Sequence, residues 1–557
     1  MTALSVTASG PAADAIGLHV PELVQDGFAG RLFARDPSLW GQDAEEEAAV
    51  RLSWVRLPRS SRPLLGEVAA LRDELGSRGV DHVVLCGMGG SSLAPEVICA
   101  SAGRALTVLD SSQPDAVRAA LADRLKRTVV VVSSKSGSTV ETDSQRRAYE
   151  GAFTEAGIDP AERIVVVTDP GSPLDRDARA AGYRVVNADP DVGGRYSALT
   201  AFGLVPSGLA GADIEALLDD AEAVSDLLAA DDDANPGLRL GAALAGTEPL
   251  RDKAVLVEVG STVRGFGDWA EQLIAESTGK GGKGLLPVVV PGPGPSHPTE
   301  DSTVVRLVDD DQDADDLDLT GRASDEPVHP DRSVVDVSGP LGAQLLLWEV
   351  AVAAAGRLLG INPFDQPDVE SAKKAARELL EGGTTKAAAP AFTEGAVEVR
   401  ALGGDWLGGA TTVSGAVDAL LDELDPDRGY LAVMAYLDRL ADAHLAGVAG
   451  VLTDRVHRPV TFGWGPRFLH STGQYHKGGP ATGVYLQVTT APREDLAVPG
   501  RDFTFGEFIA AQAGGDAQVL ADRDRPVLQL HLTDHDTGLA QLTDVLGIPA
   551  LAPGGQG

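Results

Sequence analysis

Cysteine is nearly absent from this chain. Cys86 and Cys99 are the only two in 557 residues. That excludes a disulfide framework and a thiolate zinc cluster, and it points to a reducing, cytoplasmic setting. Aromatic residues make up 4%, so the core must be built from Val, Leu and Ala. No uninterrupted apolar run reaches the roughly 18 residues of a membrane span. The closest, LGAQLLLWEVAVAAAGRLLG at 341–360, carries Glu349 and Arg357 and reads as a buried helix. The first residues, MTALSVTASGPAAD, lack a basic segment followed by an apolar one, so they do not read as a signal peptide. Positive charge is also scarce: 46 Lys and Arg face 82 Asp and Glu, a net charge of −36. Nucleic acid and anionic membranes are therefore disfavoured as partners. The excess fits either adaptation to salt or plain compositional bias. In both cases an anion-binding site here must bring its own local positive groups.

Apolar residues at 43% and a length of 557 are enough for several cores. Residues 1–60 read as a mostly helical lead-in. From 61 to 235, strand-like runs at 82–86, 105–109, 128–132, 164–168 and 184–187 alternate with helical stretches, and 212–237 reads as a helix running into an acidic turn. This alternation predicts a parallel sheet covered on both faces. A second α/β unit spans 236–390, with strand-like runs at 254–260, 285–291, 303–309 and 333–339 and a long helix over 340–359. An acidic stretch at 309–327 reads as a surface loop and GGTTKAAAPA at 382–391 as a linker. Residues 391–557 form a third α/β region, with helices expected at 413–424 and 429–446 and strands near 458–462, 483–489 and 527–532.

Two turns rich in Gly and Ser each follow an apolar strand: HVVLCGMGGSS at 82–92 and TVVVVSSKSGST at 128–139. A strand that stops at such a turn before a helix begins presents backbone N–H groups, hydroxyls and a positive helix end to one point, the chemistry of an anion seat. The first turn alone leaves the ligand open. Gly87 and Gly89 fit the dinucleotide fingerprint, Ser92 replaces its third glycine, and Asp110 stands about twenty residues on, where a ribose-binding acid would lie. The second turn points to a small phosphorylated metabolite instead. Ser133, Ser134, Ser136, Ser138 and Thr139 surround Lys135 and Gly137, a set of hydroxyls with one ammonium that suits phosphoryl oxygens.

The pattern GxGGSxLxP followed by SSKSGSTxET resembles a sugar isomerase (SIS-type) domain. Three further segments, VGGRYS at 192–197, WAEQLIAESTGK at 269–280 and INPFDQPDVESAK at 361–373, resemble the catalytic arginine, catalytic glutamate and C-terminal lysine segments of the phosphoglucose isomerase family. GPRFLHSTGQYHKGGPATGVYLQ at 465–487 is most similar to the isomerase portion of fused transaldolase/phosphoglucose isomerases, although no transaldolase portion is evident.

The resemblance implies two SIS-type α/β/α sandwich domains with parallel sheets plus the C-terminal region. It implies reversible interconversion of glucose 6-phosphate and fructose 6-phosphate through a cis-enediol, as in glycolysis and gluconeogenesis. No cofactor and no metal is implied, and the assembly would be a homodimer. Glu276 would be the base, Arg195 the enediolate-stabilising cation and Lys373 a ring-opening group. Gly90 and Ser91 from the first turn, and Ser134, Lys135, Ser136, Thr139 and Thr142 from the second, would bind substrate. The family places a histidine before the FDQ motif, supplied by a neighbouring subunit. Here none lies in that context, and His476, or His470 beside it, would take over. Rival readings are an enzyme that also accepts mannose 6-phosphate, a non-catalytic SIS sensor, and an NAD-dependent dehydrogenase. Around Glu276, Asp268 and Glu271 suggest a capping box at the helix start, and Lys280 stands at ion-pair spacing four residues on.

Overall fold

A computed structural model describes residues 4–259, 261–290, 298–309, 317–318, 328–368, 374, 378, 380 and 389–548. The chain divides into two compact units. One comprises residues up to Asp110 together with Ala120–Gln366, and the other Ser111–Ala119 together with the chain from Pro367.

The first unit holds two five-stranded sheets. One is built from β2 (His82–Gly87), β3 (Thr107–Leu109), β4 (Thr128–Ser133), β5 (Ile164–Thr168) and β6 (Arg184–Asn187), in the order β3-β2-β4-β5-β6 and parallel throughout. The valine run of β4 is buried on both faces, as a central parallel strand must be when helices cover both sides. The chain leaves β2 toward β3 and returns on the other side to β4. The two sequence turns therefore leave neighbouring strand ends, with Gly87 in register with Ser133. Such a reversal at the carboxyl ends of strands is where open α/β sheets bind ligands.

The other sheet runs β1-β10-β9-β7-β8, from β1 (Ser5–Ser9), β7 (Lys253–Val259), β8 (Leu286–Val290), β9 (Ser302–Val308) and β10 (Ser333–Ser338). The four later strands are parallel, and β1 pairs antiparallel with β10, Ser5 opposite Ser338. The lead-in is thus helical only after it has supplied an edge strand. The stretch 212–237, read as a helix running into an acidic turn, is a helix at Ile214–Leu228 followed by that turn, and a new helix, Pro236–Ala245, then starts with its amides at 237 and 238 capped by the Asn235 side chain. Helix Leu341–Leu359 is long and apolar enough to cross a membrane, yet nearly all of it is buried in the unit's core. Glu349 at its centre is fully buried with neither carboxylate oxygen hydrogen-bonded, and burial holds its carboxyl well above the usual range.

The second unit carries a six-stranded sheet, β11-β12-β16-β15-β13-β14, from β11 (Phe392–Glu394), β12 (Val397–Leu402), β13 (Tyr430–Tyr436), β14 (Val460–Trp464), β15 (Gly483–Thr490) and β16 (Val527–Leu532). The four strands β13–β16 are mutually parallel. One expectation is corrected here: 429–446 is not a helix. Its first part, YLAVMAY, is the central strand β13, buried at every position. A run that is apolar all round carries no periodicity, and its seven residues suit a strand better than a helix. The expected linker lies mostly outside the described residues, as does most of the acidic stretch.

Candidate active site

The second turn is shaped by Gly137, whose φ of +71° favours glycine and whose missing Cβ would stand 2.6 Å from that of Leu174. Ser134 Oγ donates to Thr139 Oγ1 at 3.1 Å and accepts from the Gly137 amide at 3.2 Å. Helix Val140–Glu155 starts at this point, behind an N-cap residue, Thr139, that makes no side-chain capping bond, so the positive end of the helix lies at the turn. Ser133 Oγ and Thr142 Oγ1 are buried here without a hydrogen-bond partner, so the turn keeps unspent polar groups in the core. Ser136 is exposed and shares a 2.8 Å contact with Ser138 Oγ. Lys135 faces away from the hydroxyls: its Nζ donates to Asp169 Oδ2 at 2.7 Å and to the Pro190 carbonyl at 3.0 Å. Burial raises the Asp169 carboxyl more than this lysine lowers it.

The first turn is a short 3₁₀ segment, Gly89–Ser91, set against the arginine loop. A Cβ on Gly90 would lie 1.9 Å from the Gly194 carbonyl oxygen. Glycine is therefore required at 90 because two backbones touch there. Ser197 Oγ ties the pair by donating to Gly194 O at 2.6 Å and Gly90 O at 3.3 Å.

That contact delivers Arg195, 3% exposed, into the site. Its neighbour Tyr196 is stacked on Trp54 and packed against Phe364. The guanidinium uses its whole fork. Nε donates to Ser277 Oγ at 2.8 Å, Nη1 to Gln366 Oε1 at 2.6 Å and to Glu276 Oε2 at 3.5 Å, and Nη2 to the carbonyls of Pro363 and Asp365 at 2.7 and 3.0 Å. Glu276, 6% exposed, sits in the last turn of helix Phe266–Thr278 and also accepts from Gln272 Nε2, one turn earlier, at 3.2 Å. No helix dipole favours a carboxylate in that position, so the charge rests on these side chains. The expected capping box is absent. The helix begins at Phe266 behind Gly265 in left-handed geometry, and Phe266 packs on Trp269 and Trp348, so Asp268 already lies inside the first turn.

Lys280 is not the surface partner of Glu276 that its spacing suggested. It is 7% exposed, and its Nζ donates to Asp365 Oδ1 and O, both at 2.6 Å, and to the Asn362 carbonyl at 2.7 Å. Arg195 and Lys280 thus clamp the 362–366 loop from two sides. Burial and the Arg195 charge pull the Lys280 ammonium down to about 8, against the opposing pulls of Asp365 and Glu276. A lysine depressed from 10.5 to about 8 sheds its proton first in the folded state. The unfolded chain then binds more protons between those values, so stability gains as pH rises through that window. Relative to Lys280→Met, the wild-type chain should gain up to roughly 3 kcal/mol between about pH 8 and 10.5, read from urea unfolding at several pH values. A difference that stays flat would place Lys280 at its ordinary value.

Sequence reading passed over Gln272, Ser277, Asp365 and Gln366, and took Lys280 only as an ion-pair partner of Glu276. Gln366 lay inside the FDQ segment, and Gln272 shares a helix face with Glu276 at i−4; both were legible signals. Lys373 lies outside the described residues.

In the second unit, His476 stands in a short helix, Gly473–Gly478, on the connection from β14 to β15. It is 2% exposed, and its Nδ1 lies 3.0 Å from Tyr430 Oη. Burial, then the Lys477 and Arg525 charges, hold its imidazole well below the ordinary value. His470 is also largely buried, at the end of the preceding 3₁₀ turn. Gln474 Nε2 donates to Asp368 Oδ2 at 2.9 Å, which joins this segment to the chain just beyond the FDQ motif.

An anion seat at a sheet switch point, joined through a glycine contact to a buried carboxylate–guanidinium pair, belongs to proteins that handle phosphorylated metabolites. The comparisons agree. No model of a protein family matches the chain. A probable glucose-6-phosphate isomerase of Natronomonas pharaonis is 32% identical over 343 residues, covering 54% of this chain and 80% of that protein. One of Haloarcula marismortui is 31% identical over 348 residues, covering 55% and 79%. Among solved structures, a hypothetical protein from Thermus thermophilus aligns over 68% of this chain and all of its own, with a TM-score of 0.55 at 24% identity, a likeness of fold. The chain belongs to the glucose-6-phosphate isomerase family.

Proposed function

We propose that the chain is a glucose-6-phosphate isomerase that interconverts glucose 6-phosphate and fructose 6-phosphate through a cis-enediol. The observation that carries this reading is the buried Glu276–Arg195 pair, whose loop is in backbone contact with the first turn of the phosphate seat. Glu276 takes the C2 proton of the opened aldose and returns it to C1 while the O2 hydroxyl proton passes to O1, so C1=O becomes C1–OH, C2–OH becomes C2=O, and no proton or electron is gained or lost overall. Arg195, its fork held rigid by Ser277, Gln366 and two carbonyls, is preorganised to meet the negative charge that develops on O1 and O2. Gly90, Ser91, Ser134, Ser136, Thr139 and Thr142 hold the phosphate, with the unpartnered Thr142 hydroxyl and the helix N-terminus beside it as their strongest support. Lys135 joins them by exchanging its Asp169 contact for a phosphoryl oxygen.

Ring opening falls to Lys373 and His476. The GPRFLHSTGQYHKGG segment supports the fused-enzyme type as the nearest pattern, and a cytoplasmic homodimer follows the family habit. A non-catalytic sensor has no use for a buried base beside a buried arginine.

The test is direct. Purified chain mixed with fructose 6-phosphate should yield glucose 6-phosphate in a coupled assay, and absence of conversion sinks the reading. The same assay with mannose 6-phosphate separates a strict isomerase from one with a second aldose.

A further inference from the structure

We propose that Lys280 is a positioning residue that holds the 362–366 loop only as an ammonium, so that loss of its proton sets the alkaline limit of turnover. The inference rests on the reading of Arg195 as the cation that meets the enediolate, and it starts from a count of protons.

Lys280 Nζ donates to three oxygens: the carbonyls of Asn362 and Asp365 at 2.7 and 2.6 Å, and Asp365 Oδ1 at 2.6 Å. All three are acceptors. An ammonium brings three protons, and these contacts take every one of them. A neutral amine has two protons and a lone pair. It can keep two of the contacts, and at the third its lone pair would face an oxygen at hydrogen-bond distance. That oxygen has to move away, and it loses its donor in a buried place.

The lysine cannot follow it. Its backbone is pinned in a tight turn whose ends, Lys280 and Lys283, exchange two hydrogen bonds of 3.1 Å, with Gly281 and Gly282 between them at φ of +61° and +75°. Lys283, at the other end of the turn, donates to the Leu359 carbonyl at 3.0 Å and holds the chain ahead of the loop. The movement therefore falls on 362–366.

That loop is where Arg195 takes its aim. The Asp365 carbonyl that accepts from Lys280 also accepts from Arg195 Nη2 at 3.0 Å, and Gln366 Oε1, one residue on, accepts from Nη1 at 2.6 Å. One carbonyl thus joins two cations, and only the lysine can lose its charge in the range where proteins work. When the loop shifts, it carries partners of the guanidinium with it, and the fork turns away from the reacting oxygens.

The surroundings bring that loss within reach. Arg195 faces Lys280 from the arginine loop, Asp365 from the 362–366 loop and Glu276 from helix Phe266–Thr278, while Lys283 on its own turn is spent on Leu359. Burial and then Arg195 pull the ammonium down, the two carboxylates pull it up, and the balance stands at about 8.

The experiment pairs two titrations of the full chain. ¹⁵N NMR of lysine-labelled protein follows Lys280 Nζ, identified by its loss in Lys280→Met, and the pH profile of kcat on fructose 6-phosphate follows turnover. Both should break near pH 8. Above the break kcat should fall about 10²-fold, the scale of a small misplacement of a catalytic group. KM should hardly change, because the phosphate seat lies on other segments.

Asp365→Asn identifies the cause. It keeps an acceptor at Oδ1 and removes a charge that favours the ammonium, so both breaks should move together to lower pH. Lys280→Arg, whose charge is permanent, should show no break in this range. An Nζ that keeps its proton up to the ordinary 10.5 overturns the proposal. So does a turnover break that stays in place when the Nζ break moves, or one that persists in Lys280→Arg. A wild-type chain inactive on fructose 6-phosphate at every pH would overturn the functional reading and this limit with it, whereas the other outcomes overturn the limit alone.

Discussion

Glu276→Gln should lower kcat for fructose 6-phosphate by about 10³- to 10⁴-fold, the upper range for removal of a general base, with KM almost unchanged. The substitution keeps the shape. The new amide oxygen can still accept from Arg195 Nη1 and Gln272 Nε2, which both donate to the carboxylate. The helix ends at Thr278 with or without the charge, because its buried face sets the boundary. The phosphate seat is built from other segments, so ground-state binding is spared. What goes is the basic oxygen, and with it the step that moves a proton between C1 and C2. A second readout isolates that step: exchange of the substrate's C2 proton with deuterated solvent should vanish in parallel with turnover. A variant that retains full activity would show that the base lies elsewhere.

Much of this was legible because the parallel sheets announce themselves. The five strands of the β3-β2-β4-β5-β6 sheet and the four parallel strands of its companion fall within about two residues of the runs read from sequence, since short valine-rich runs between turn signals have few alternatives. What failed to show is informative. β1 is a polar, half-exposed edge strand, SVTAS, whose partner lies more than three hundred residues away. Nothing local marks it. β13 was hidden by the opposite fault, being apolar at every position and therefore without a period.

At the site, motif residues such as Arg195 and Glu276 stood out, but the groups that hold them did not. Lys280 has the sequence spacing of a surface ion pair, and only the tertiary fold reveals that it points at Asp365. The three carbonyls that receive Arg195 and Lys280 have no sequence signature at all.

Those carbonyls set the second large effect. Arg195→Met should destabilise the first unit by about 3–5 kcal/mol, the cost of removing one member of a buried charge pair, and abolish measurable turnover. Methionine fills most of the volume but donates nothing. Ser277 Oγ, Gln366 Oε1 and the carbonyls of Pro363 and Asp365 all lose a donor, and Glu276 keeps its charge without the guanidinium. Arg195→Lys separates the contributions. It restores a positive charge near Glu276, so much of the stability should return. An ammonium presents three donors from one point, however, and cannot span Ser277, Gln366 and the two carbonyls at once. Without the fork the charge is no longer aimed at one place, and turnover should remain at least about 10²-fold down, as for the loss of one oriented oxyanion donor. Urea unfolding followed through the buried tryptophans, of which Trp54 stacks on Tyr196, reads the first quantity, and the coupled assay reads the second. If the lysine variant recovered activity in step with stability, charge alone would suffice, and the preorganised fork would have no part in the chemistry.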